Sequence, residues 1–149
     1  SPATSVASPT GSTSPARCTA RMTRSPLGVT MPGCTTSPII FERGGIVSSV
    51  CHGYCGLLNT RLSDGSLLVD GRKLTGFAWS EEVLAKVDKL VPYNAEEEMK
   101  KRGARYEKGL IPFASYTVVD GRLVTGQNPA SAKATAKKVV SVLQEGAAR

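Results

Sequence analysis

The sequence predicts an α/β domain with helices on both faces of a sheet, and three observations carry that prediction. An apolar, partly β-branched run at residues 46–50 ends on Cys51-His52-Gly53, the pattern of a strand that turns sharply into a helix. Two helical segments with start signals follow, one around Ser80 and one after Asn94. A hairpin signal at Asp120-Gly121 then leads to a last helix introduced by Asn128-Pro129. Alternation of strands and helices is the mark of α/β layering.

Taken in order, residues 46–50 read as a core strand and 53–62 as a short helix behind the turn. Asp64-Gly65 and Asp70-Gly71 are turn signals bracketing Leu67, Leu68 and Val69, a short extended piece. Residues 72–77 read as another strand. Ser80 then looks like an N-cap, with Trp79 before it placed to staple to Leu84, and with Glu81 and Glu82 in the first turn complementing the helix dipole. Asn94 with Glu97 three residues on repeats the capping pattern, and Gly103 closes that helix. Residues 104–106 are extended. Residues 116–119 and 122–125 alternate around Asp120-Gly121, a two-residue hairpin. The last helix runs from Asn128-Pro129 to about Gln144, before Gly146.

Composition bounds the rest. The chain has 149 residues, room for one domain. Residues 1–40 contain no Asp or Glu but six of the nine prolines and fifteen Ser or Thr, a segment too poor in apolar surface to fold alone. The globular part is therefore expected at residues 39–149, about 110 residues and enough for one modest core, with residues 1–38 a tail. A net charge of +7 invites a nucleic-acid reading. The body mixes its Lys and Arg with all twelve carboxylates, and aromatics are only 5% of the chain, so no basic-aromatic interleaving offers bases a stacking surface. Lys133, Lys137 and Lys138 read as a solvated helix face. No apolar run reaches the length of a membrane span and no signal sequence opens the chain. The expectations are no nucleic-acid partner, no membrane partner and a reducing, cytoplasmic location. The four cysteines make no disulfide framework, and Cys51, His52 and Cys55 lack the second pair a zinc site needs. No metal and no cofactor are expected.

Cys51 is the candidate nucleophile. A thiol at a strand-to-helix turn gains from the positive end of the following helix, which favours the thiolate. His52, the sole histidine, could add a cationic neighbour or a general base. A buried structural Cys beside a surface His is the plainer alternative.

Three separated strings carry a resemblance: Val50-Cys51-His52-Gly53; Leu74-Thr75-Gly76-Phe77 followed by Glu81-Glu82; and the run from Asp120-Gly121-Arg122 through Thr125-Gly126-Gln127-Asn128-Pro129-Ala130-Ser131. In this order they resemble the PfpI-like, class I glutamine-amidotransferase-like superfamily, closest to its cofactor-independent glyoxalase III and heat-shock chaperone branch, over roughly residues 41–143. The resemblance implies a flavodoxin-like three-layer α/β/α sandwich, present here as its C-terminal portion. It implies that Cys51 is the nucleophile, His52 the general acid/base and Glu82 the carboxylate that orients it, with Glu81 in that role if the helix starts one residue later. It also implies a small α-oxoaldehyde substrate, methylglyoxal converted to lactate without glutathione, and a homodimer as the candidate oligomer. Tyr54 stands where the family has Pro. Glutamine amidotransfer is disfavoured, since it needs a later His-x-Glu and His52 stands alone.

In the family the first half of the fold supplies a Gly-Gly-His oxyanion hole and a Glu at the thiol, neither of which is visible in residues 1–40. Reading the codons of residues 21–36 two bases later permits Asp-Asp-Ala-Val and Gly-Gly-His strings. The tail is thus expected to be a disordered linker or the product of a shifted frame, and turnover by this chain to be weak or absent. A chaperone, redox-sensing or deglycase-type role for the same superfamily, or an inactive fragment, is the alternative.

Overall fold

A computed structural model describes residues 36–147 and two short strands, Thr23–Ser25 (β1) and Gly28–Thr30 (β2), which pair antiparallel. Most of the segment 1–38 expected to be a tail lies outside the described residues. The first helix is α1 (Thr36–Glu42). Strand β3 (Val47–Val50) follows, then a 3-10 helix, Cys51–Leu57. After it come β4 (Lys73–Leu74), α2 (Trp79–Leu84), α3 (Ala95–Lys101) and β5 (Arg105–Tyr106). The hairpin β6 (Thr117–Asp120) and β7 (Leu123–Gly126) and a short 3-10 turn, Pro129–Ser131, lead to α4 (Ala132–Ala147).

The main sheet has the order β3-β7-β6, with β3 parallel to β7 and β7 antiparallel to β6. β4 and β5 form a separate parallel pair. Helix α4 lies against β7, β3 and β6. Its close approach depends on Gly126, where a Cβ would overlap the Thr135 hydroxyl. The apolar core gathers Phe41, Val47, Tyr54, Leu58, Leu74, Met99 and Leu123. The class is α/β, consistent with the flavodoxin-like architecture.

Several local expectations are met. Asn94 caps α3, its side chain accepting from the Glu97 N–H at 3.2 Å, and Gly103 follows the helix at φ +81°. Asn128 and Pro129 introduce the last helix, which runs on to Ala147 rather than Gln144. Others need correcting. The hairpin pairs Asp120 with Leu123, so its two loop residues are Gly121 and Arg122, with φ +57° at Gly121. The loop has slid one residue because its first position takes the positive φ that suits glycine. The expected helix at 53–62 is a 3-10 helix over Cys51–Leu57. The expected strand at 72–77 pairs only at Lys73–Leu74, because the Thr75 N–H is taken by the Thr125 hydroxyl at 2.9 Å. Ser80 is not an N-cap. Helix α2 starts at Trp79 with Ala78 as N-cap, and Glu81 closes the end by accepting the Ala78 N–H at 3.1 Å.

Candidate active site

Cys51 sits where β3 ends, and its backbone is left-handed at φ +57°. That conformation is costly for a residue with a Cβ. It breaks the strand abruptly and turns the thiol out of the sheet, with Val50 still extended before it (φ −132°, ψ 143°). The strand that carries Cys51 is held by β7 on one side, Val50 opposite Gly126.

The segment after β4 supplies the opposite wall. Tyr54, 1% exposed, lies beneath Gly76, where a Cβ would overlap its ring. The Tyr54 hydroxyl donates to the Phe77 carbonyl at 3.0 Å, and the Phe77 N–H reaches the Cys51 carbonyl at 3.4 Å. Tyr54 thus clamps the segment at Cys51 to the segment at Gly76 and Phe77. Phe77 stacks on His52, ring centroids 4.6 Å apart and tilted by 31°.

The structure brings Cys51, His52 and Glu82 into one line. The Cys51 Sγ lies 3.3 Å from His52 Nδ1, and His52 Nε2 lies 2.6 Å from Glu82 Oε1. A carboxylate only accepts, so Nε2 carries the hydrogen and Nδ1 is left to accept from the thiol. The His52 side chain is 47% exposed and that of Glu82 only 6%. The imidazole faces solvent and is oriented from behind by a buried group. Glu81, the alternative carboxylate, points elsewhere: its oxygens take the N–H groups of Ala78 and Phe113 and the Asn128 side-chain amide.

The thiol differs from expectation. Burial pushes its pKa above the ordinary value; the backbone N–H of His52 opposes this, and the negative Glu81 and Glu82 add to the rise. The expected pull of a helix N-terminus is outweighed, since only a short 3-10 helix follows. With Sγ 3.3 Å from Nδ1, a neutral thiol can donate its hydrogen to the imidazole, and an imidazole so placed can accept that proton, as in a hydroxyl–imidazole pair. Cys55, also a free thiol, is likewise pushed up by burial. Among the described residues, no group of three or more His, Cys, Asp or Glu is placed to hold a metal ion, and no helix is long and apolar enough to cross a membrane.

Sequence reasoning singles out neither Phe77 nor Tyr54 as a site element, and offers Glu81 only as the alternative carboxylate for His52. Glu81 three residues after a helix N-cap is a readable signal, but Ala78 offers no capping side chain, whereas Ser80 does.

No protein-family model matches the chain. Individual relatives do. A glutathione-independent glyoxalase of Saccharomyces cerevisiae is 38% identical over 112 residues, covering 70% of this chain and 46% of that protein. Glyoxalase 3 of Candida albicans is 38% identical over 112 residues, covering 70% and 47%. The crystal structure of glyoxalase III from Candida albicans superimposes with a TM-score of 0.68 at 34% identity, covering 71% of this chain and 46% of that one. The chain spans about half the length of the relatives it matches. Over that half, its homologues are glutathione-independent glyoxalases, consistent with the PfpI-like superfamily.

Proposed function

We propose that this chain carries the thiol, base and carboxylate of a glyoxalase III-like reaction, turning methylglyoxal into lactate without glutathione. The carrying observation is the continuous line from Cys51 through His52 to Glu82, with spacings of 3.3 and 2.6 Å, in a chain whose homologues bear that activity in their names.

The geometry supports the following roles. The Cys51 sulfur attacks the aldehyde carbon while its proton passes to His52 Nδ1, and the aldehyde oxygen is protonated to give a hemithioacetal. His52 then removes the hydrogen from the former aldehyde carbon, giving an enediol, and a proton is delivered to the neighbouring carbon. The former aldehyde carbon is oxidised to the acyl level and its neighbour is reduced to an alcohol by the same two electrons, so the product is a lactoyl thioester on Cys51. Water cleaves that carbon–sulfur bond, releasing lactate and restoring the thiol. Glu82 keeps its proton-free oxygen on Nε2 throughout, stabilising each imidazolium as it forms. Glu82, not Glu81, is the carboxylate in this reading. A thiol nucleophile needs reducing surroundings, which supports a cytoplasmic place of action.

The test is lactate formation from methylglyoxal by the purified chain. Slow turnover that Cys51→Ala abolishes is expected; equal lactate from parent and Cys51→Ala would overturn the reading. One observation favours a second reading, a chaperone or redox sensor: Leu90, Leu110 and Ile111 are 80%, 101% and 70% exposed, apolar surface of the kind that holds other chains. Peroxide sulfenylation of Cys51 without turnover would favour it.

A further inference from the structure

We propose that Glu81 is a positioning residue whose buried carboxylate ties α2, the 107–116 loop and the start of the last helix to one point, and thereby holds Glu82 and Phe77 against His52. The proposal rests on the reading of Cys51, His52 and Glu82 as the reacting line.

Glu81 is fully buried, and no Lys, Arg or His of the described residues forms an ion pair with it. A carboxylate in that position is costly to desolvate and survives only where N–H donors replace water. Glu81 has three. Its Oε2 accepts the Ala78 N–H at 3.1 Å; its Oε1 accepts the Phe113 N–H at 2.7 Å and the Asn128 amide at 2.8 Å. Asn128 is itself held, donating to the Ala114 carbonyl at 2.8 Å and accepting from the Ser131 hydroxyl at 3.0 Å. Capping α2 alone does not explain so expensive a group.

What the anchor protects is visible at both flanks of His52. On one flank, Glu82 Oε1 holds His52, while Glu82 Oε2 is buried with no hydrogen-bond partner among the described residues. Among the described residues the Glu82 carboxylate has no second tether, so its place is set by the turn of α2 that Glu81 pins. On the other flank, Phe113 is held left-handed at φ +61°, with its N–H on Glu81. Its ring backs Phe77, centroids 6.2 Å apart, and Phe77 stacks on His52. A non-glycine residue keeps that backbone only where its surroundings over-determine it.

The closing experiment reads His52 rather than the thiol, because Glu81 also raises the Cys51 pKa through its charge and losing that charge would mask a loss of positioning. His52 is the sole histidine, so its ring N–H signal in nitrogen-15-labelled protein needs no assignment. The parent chain is expected to show a downfield, slowly exchanging Nε2–H from the short bond to Glu82, absent in Glu82→Ala. In Glu81→Gln, with circular dichroism retained, the signal should move upfield and exchange roughly tenfold or more faster. A folded Glu81→Gln with an unchanged signal overturns the proposal. If Glu81→Gln does not fold, Phe113→Gly decides: glycine suits φ +61° and keeps the N–H but removes the ring behind Phe77. A displaced signal there supports the proposal and an unchanged one overturns it. The signal needs no substrate. Absent methylglyoxal turnover beside a displaced signal would therefore overturn the proposed function and support the positioning role.

Discussion

Replacing Gly76 with Ala tests the clamp on which the site's far wall depends. A Cβ at Gly76 would overlap Cγ, Cδ1 and Cδ2 of Tyr54, the inner part of the ring and not a flexible tip. The ring cannot swing away cheaply. It is 1% exposed, and its hydroxyl is engaged with the Phe77 carbonyl at 3.0 Å. The ring centroid lies 6.2 Å from that of Tyr106, whose own hydroxyl donates to the Gly76 carbonyl at 2.7 Å. Gly76 is thus pinned from both sides, and one added methyl should cost about 1–3 kcal/mol, the usual range for overpacking. Tyr54→Leu removes the overlap but strands the Phe77 carbonyl, about 1–3 kcal/mol. The two changes share one contact, so the double variant should be less destabilised than the sum by about 1 kcal/mol or more. Urea unfolding of the four proteins measures this. A Gly76→Ala variant within about 0.5 kcal/mol of the parent, or strict additivity in the cycle, would refute the clamp.

Other outcomes follow from the same geometry. Glu82→Gln should lower lactate formation by about a hundredfold while sparing the fold, and His52→Ala should approach the Cys51→Ala background; a wild-type rate in Glu82→Gln would remove it from the reacting line. Iodoacetamide labelling of Cys51 should show a midpoint above that of an ordinary thiol, because burial and the Glu81 and Glu82 charges disfavour its thiolate; a lower midpoint would contradict this. Burial raises the pKa of Cys51, Cys55, Tyr54, Tyr93 and Tyr106 in the folded state. Above about pH 9 the unfolded chain releases these protons first, so stability should fall as pH rises from there. Thermal unfolding across pH 7–11 checks the sign. Asn94→Ala should cost about 1 kcal/mol through loss of the α3 cap, read from a shifted urea midpoint.

The sequence by itself determined the features that rest on neighbours within a few residues. The Asn94 cap, the Gly103 stop, the Asn128-Pro129 start and the hairpin before them are local hydrogen-bond and dihedral chemistry, legible wherever it occurs. The turn at Cys51 was legible for the same reason. An apolar strand running into Cys-His-Gly reads as a sharp turn, and Cys51 takes φ +57° there.

The resemblance points to Glu82, but only the tertiary structure decided which acid meets His52 and which way the thiol's pKa moves. Glu81 and Glu82 are adjacent and chemically alike, and nothing local separates them. Their separation comes from the phase of α2. That phase is set by bonds from Glu81 to Phe113 and Asn128, 32 and 47 residues away, which leave Glu82 facing a histidine 30 residues before it. The thiol follows the same rule. Sequence spacing foresaw a helix dipole pulling its pKa down, but the direction is set by burial and two carboxylates that folding brings near. Desolvation and charge fall off with distance through space, and only the folded chain fixes those distances.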